Sequence, residues 1–166
     1  MMKRDYGYVA ATFSDKDREP FQRLTGEICK EGDLYQSDSV DYVNGDVSTD
    51  LHLTIFYGLV DEKIDKEKLQ AHVENLSLDT LKLGDLYLRQ TPEGNYQILW
   101  VVVADEDNKL KDMAESFRDF EHEVSVQLEF MPHLTLAYVR PGYALPESLP
   151  EYPRDVQVED IRYFEK

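Results

Sequence analysis

Two short segments hold residue types that can do chemistry: Leu51-His52-Leu53-Thr54-Ile55 and Pro132-His133-Leu134-Thr135-Leu136. On a β-strand, residues two apart project to the same face. His52 and Thr54 then stand side by side with Leu51, Leu53 and Ile55 behind them, and His133 and Thr135 do the same in front of Leu134 and Leu136. An imidazole titrates near neutral pH and can take up or give a proton, while a neighbouring hydroxyl can donate to a phosphate oxygen. Two such units face to face meet the needs of phosphodiester cleavage without a metal. One histidine, neutral, accepts a proton from the attacking oxygen, and the other, charged, protonates the leaving oxygen. Thr54 and Thr135 would hold the non-bridging oxygens, where negative charge concentrates in the transition state. The sequence leaves open which histidine is base and which acid.

Both segments need strands, and the surrounding patterns supply them in the same order twice. Tyr6 to Phe13 reads as a strand and Val47 to Tyr57 as a second one carrying His52. Between them, Ser14 caps a helix placed at about Pro20–Lys30, with Phe21, Leu24 and Ile28 on its buried face. The nearly continuous apolar run Tyr96–Ala104 predicts a central strand covered on both faces. A helix over 107–120 and a strand over 132–139 carrying His133 follow it. Strand, helix and His-Leu-Thr strand thus recur at 6–57 and 96–139, with almost no other identity between the copies. The first copy has an extra loop over 32–45, with a turn signal at Asn44-Gly45.

The remaining elements are a helix over 62–76, a strand over 81–90 with a bulge at Gly84, and a turn at Pro92-Glu93-Gly94-Asn95. Val124–Leu128 reads as extended, Pro141–Pro153 as irregular, and Val156–Phe164 as one closing strand. The fold class expected is α+β: two pseudo-symmetric lobes of antiparallel-rich sheet with outer helices and a central cleft, forming one domain over 1–166.

The charge balance narrows the partners. Lys and Arg number 18 against 34 Asp and Glu, a formal net charge of −16 over 166 residues. Such a surface repels long polyanions, so no long nucleic acid is expected to coat it, while a locally positive pocket still admits a small phosphorylated ligand. The single cysteine, Cys29, rules out an internal disulfide and any Cys-rich zinc site. There is no H-E-x-x-H, P-loop or G-x-S-x-G, and Asp41–Asp46 lacks the ligand spacing of a calcium loop. Neither a metal nor another cofactor is implied. The apolar run near the N-terminus is too short for a signal peptide and none later spans a membrane, so a cytoplasmic monomer without membrane contact is expected.

The paired His-x-Thr-x motifs, each on a strand within a duplicated α+β lobe, resemble the two-histidine (2H) phosphoesterase superfamily. His52-Leu53-Thr54-Ile55 and His133-Leu134-Thr135-Leu136 match its pattern fully, and the hairpin 81–104 is similar to its middle section. The superfamily includes RNA 2′,3′-cyclic phosphodiesterases, RNA-ligase-like phosphodiesterases, 2′,5′-phosphodiesterases and viral enzymes that destroy cyclic-oligonucleotide immune signals. The resemblance therefore implies a hydrolase acting on a nucleotide or short oligonucleotide, in the host cytoplasm if viral, with His52 and His133 catalytic and Thr54 and Thr135 on the phosphate. The bacterial RNA-processing branch commonly has an Arg soon after the second motif. Here Ala137-Tyr138-Val139-Arg140 follows, so Arg140 or a stacking Tyr138 is the candidate in its place.

Other aromatics near the motifs are Tyr6, Tyr8, Tyr57 and Trp100. Tyr8 and Tyr57 are candidates for base stacking, and Trp100 reads more readily as core. His72, between core positions on its helix, and His122, after the next helix, read as solvent-facing. A competing function is a nucleotide sponge or sensor that binds in the same cleft without turnover. A third reading is an unrelated interaction module.

Overall fold

The two strand–helix–strand units expected from the sequence are present in the computed structural model, which describes residues 6–35, 51–123 and 130–166. The first is β1 (Gly7–Thr12), α1 (Asp15–Ile28) and β2 (His52–Leu59). The second is β4 (Gln97–Val103), α3 (Lys109–Glu115) and β5 (His133–Val139). Between them lie α2 (Lys66–Glu74) and β3 (Thr80–Gln90), and the chain ends with β6 (Asp155–Gln157) and β7 (Asp160–Phe164).

These strands form one antiparallel sheet in the order β6-β3-β4-β5-β2-β1-β7. The motif strands β2 and β5 are neighbours at its centre, joined through the pair Leu53–Leu134. Strands β6 and β7 occupy opposite edges, yet only residues 158 and 159 separate them. Three Cα steps reach roughly 11 Å at most. The sheet must therefore curl until its edges nearly meet, which gives a half-barrel. The link is pinned on both sides: the Val158 N–H donates to the Asp79 carbonyl and the Glu159 N–H to the Thr12 carbonyl, both at 2.8 Å.

The helices cross the pseudo-twofold. Helix α1 packs against β5 and α3 against β2, so each repeat covers the other's motif strand. Leu53, Leu134, Leu136, Leu99 and Val101 from the sheet meet Phe21 of α1 and Phe117 after α3 in one core. The alternate residues of the same strands are left on the opposite, open face. Both motif strands carry the same irregularity: the β1–β2 register skips Ile55 and the β4–β5 register skips Leu136, each the residue after the threonine.

Several boundaries differ from expectation, each for a local reason. Helix α1 begins at Asp15, directly after its cap, because the Ser14 hydroxyl accepts from the Asp17 N–H; Pro20 sits inside the helix, not in its first turn. Asp65 caps α2 by accepting from the Glu67 and Lys68 N–H groups, which leaves 61–63 as a separate 3-10 turn. Helix α3 is short because Asp107 and Asn108 adopt positive φ before it, and i→i−3 bonds tighten the chain after it as far as Phe120. The bulge falls where Gly84 predicts it, between Leu83 and Leu86. The closing strand divides in two, since one half pairs with β3 and the other with β1, forming opposite edges of the sheet. Strand β4 is central but covered on one face alone; Ile98 and Val102 are half-buried on the open side. The turn at Asn44-Gly45, the start of the second strand at 47–50 and the extended segment 124–128 lie outside the described residues.

Candidate active site

The register around Leu53–Leu134 decides what the two motifs can do together. Continued antiparallel on either side, it sets His52 beside Thr135 and Thr54 beside His133. Each histidine thus neighbours the other motif's threonine across the central seam. His52 and His133 are diagonal neighbours, about 7–8 Å apart at the backbone. That gap suits two imidazoles flanking one phosphate. All four side chains are half-buried on the open face, with their alternate leucines in the core.

His133 is held from two directions. Its Nδ1 lies 2.8 Å from the Met131 carbonyl oxygen. A carbonyl only accepts, so Nδ1 carries the proton and Nε2 is the acceptor in the neutral ring. Its ring also stacks on the Trp100 indole, with centroids 3.6 Å apart and planes 15° apart. Burial pushes the His133 pKa below the ordinary imidazole value, opposed by the bond to Met131 and reinforced by the charges of His52 and Arg89. Neutral His133, with Nε2 free to accept, is the form this setting favours.

The symmetry breaks at the position that flanks each histidine. Trp100 pairs with Thr135 in the second unit; its counterpart, paired with Thr54 in the first, is Ala10. An indole stacks on His133, and the residue at the equivalent position of β1 is an alanine. The His52 ring lies 6.0 Å from that of Tyr8, which itself stacks on Phe164 at 4.9 Å. Trp100 is buried, as the sequence favoured, yet on the open face under His133 and outside the main core.

The other candidates divide. Tyr57 lines, with Thr54, Trp100 and His133, a cavity of about 670 Å³ that extends toward α3. Tyr8 is buried and forms a wall beside His52. Tyr138 packs edge-on to Tyr96 at 5.9 Å, three residues along β5 from Thr135. Arg140 is not brought to the pair. It lies seven residues from His133, about 20 Å along an extended chain, and its guanidinium bonds to Asp33 at 3.4 Å.

His72 and His122 are off the cleft but do not face solvent as expected. His72 Nε2 is 2.7 Å from the Ser116 hydroxyl and its ring meets Phe117 edge-on, because the turns after α3 fold over α2. His122 donates from Nδ1 to the Phe120 carbonyl and packs edge-on to Phe56.

Two residues with no distinguishing pattern in the sequence lie beside the site. Arg89 lines the cavity and its guanidinium carbon sits 5.3 Å from the Trp100 ring centroid. Tyr87, two residues earlier on β3, is 48% exposed with its ring 6.0 Å from the same indole. Both fall on the polar phase of the alternation after Gly84, which marked their face but not their neighbours.

No family model and no curated protein matches this chain. Solved structures do. A protein described as a phosphoesterase is similar over 96% of this chain and 87% of its own, with TM-score 0.60 and 16% identity. E. coli LigT complexed with NADP+ is similar over 98% and 88%, with TM-score 0.61 and 18% identity; LigT complexed with 3′-AMP gives 0.60 and 16% over the same shares. Usb1 of Kluyveromyces marxianus is similar over 84% and 73%, with TM-score 0.50 and 12% identity. The curled antiparallel sheet with its helices is thus a fold that this chain shares with LigT.

Proposed function

We propose that this protein is a metal-independent phosphodiesterase that cleaves a nucleotide phosphodiester by general acid–base catalysis with His133 and His52. The observation that carries this reading is the central register, which sets each histidine beside the other motif's threonine around one point of the open face. His133, neutral and with Nε2 as acceptor, serves as base; His52 serves as acid. With a 2′,3′-cyclic phosphate, Nε2 of His133 takes a proton from water as its oxygen bonds to phosphorus. The bond from phosphorus to one ribose oxygen breaks, and His52 gives that oxygen its proton. With a 2′,5′-linked or cyclic oligonucleotide, a ribose hydroxyl can take the place of water. Thr54 and Thr135 donate to the non-bridging oxygens as negative charge grows there.

The similarity to LigT supports a nucleotide substrate, since that protein is complexed with NADP+ and with 3′-AMP. The range includes the cyclic oligonucleotides that serve as immune signals, with the protein then a viral countermeasure. The test is turnover in EDTA against 2′,3′-cyclic nucleotides, 2′,5′-linked oligoadenylates and cyclic di- and trinucleotides. Cleavage of at least one class at an undiminished rate is expected, because the chain's own side chains supply both proton transfers and the phosphate contacts. Binding without cleavage across the panel would favour the sponge, and loss of all turnover on chelation would overturn the mechanism.

A further inference from the structure

The cavity beside His133 is larger than one phosphate needs. Its volume of about 670 Å³ lies within the usual span of about 300–1,000 Å³ for small-molecule sites. Its lining also departs from the charge of the whole chain. The carboxylate of Asp105 is engaged by the Leu110 and Lys111 N–H groups, and Glu115 is paired with Arg118. Arg89 and Lys111 line the same cavity, and neither has an ion pair among the described residues. In a protein of net charge −16, two such cations at the edge of the site favour an anion there.

The sheet fixes how far that anion lies from the reacting one. Arg89 on β3 pairs with Ile98 of β4, and His133 on β5 pairs with Val102, so Arg89 lies two strands across and four residues along from His133, about 16 Å at the backbone. The Trp100 indole neighbours both side chains, with its ring 3.6 Å from that of His133 and 5.3 Å from the Arg89 guanidinium carbon. The histidine pair straddles β2 and β5 while Arg89 reaches the indole from β3, which sets an anion under Arg89 to the β3 side of the reacting phosphate. Tyr87 shares the open face with Arg89 two residues away and presents an exposed ring beside the same indole. A cation and an exposed aromatic at this spacing match a phosphate and its base.

We propose that Tyr87 and Arg89 form a subsite for the nucleotide next to the scissile phosphate, so that the substrate is an oligonucleotide with at least two phosphates, not a cyclic mononucleotide. This rests on the phosphodiesterase reading for its placement, but its test reads binding without turnover. Calorimetric titration of the wild-type protein with adenylyl-adenosine 3′-phosphate and with adenosine 3′-monophosphate, at one salt concentration, should give a dissociation constant at least tenfold lower for the dinucleotide. Arg89→Gln and Tyr87→Ala should each remove most of that advantage, and Arg89→Lys should restore part of it. Equal affinities in the wild type, or an advantage that survives both variants, would overturn the subsite. An intact advantage in a protein that cleaves nothing supports the subsite and counts against the catalytic reading alone.

Discussion

Replacing either His52 or His133 with alanine is expected to lower kcat on the preferred phosphodiester by about 10²–10⁴-fold, the range for loss of a positioned acid or base. Both imidazoles are half-buried on the open face, and neither belongs to the core, so thermal unfolding should stay close to wild type. The double variant should be little worse than the worse single one, because acid and base act on one transition state and their contributions do not add. Thr54→Ala and Thr135→Ala should each cost less, up to about 10²-fold, since each removes one donor to a half-exposed oxyanion. Steady-state kinetics beside a melting curve reads all of these. Losses that add, or that track a fall in stability, would mean the two residues do not share a phosphate.

The second large effect is the pH dependence. His133 must be neutral to act as base, and its pKa is lowered, chiefly by burial against Trp100 and neighbouring side chains. The sign follows: kcat/KM should climb with pH on a limb whose midpoint lies below the ordinary imidazole value of about 6.5, then fall at higher pH as the acid loses its proton. Trp100→Ala exposes His133 to water and should move the lower midpoint upward, while Trp100→Phe, which keeps an aromatic surface, should leave it nearer the wild-type position. A lower limb at or above the ordinary value, unmoved by Trp100→Ala, would remove His133 from the role of base.

The paired motifs were legible because strand alternation is strict: a His-Leu-Thr frame has its leucine in the core only if its polar residues share the other face. The repeat order was legible for the same reason, since period-2 and helical patterns alternate cleanly over 6–30 and 96–139. The split of the last strand was not. Val156–Phe164 has one continuous strand composition, and its division depends on which edges the two halves reach. The start of α1 is hidden by Pro20, because proline favours a first turn, whereas the fold starts the helix at the Ser14 cap and accommodates Pro20 inside it.

Side-chain partners were the least legible. His72 and His122 have surface-like spacing, and only the turns after α3 bring Ser116, Phe117 and Phe120 to them. Arg140 follows the second motif closely in sequence, yet an extended strand carries it away from the histidines toward Asp33. Arg89 is remote in sequence and close in space because β3 lies two strands from β5. Proximity along a strand and proximity across a sheet are separate matters, and only the first can be read from spacing.

The convergence of the two imidazoles can be observed without turnover. The chain has four histidines, and two of them, His72 and His122, are held away from the open face as internal controls. Imidazole proton resonances should be followed by NMR while 3′-AMP is added. His52 and His133 should shift together, with one midpoint, while His72 and His122 stay in place. A shift of only one of the pair, different midpoints for the two, or movement of the control histidines instead would contradict a single phosphate held between them.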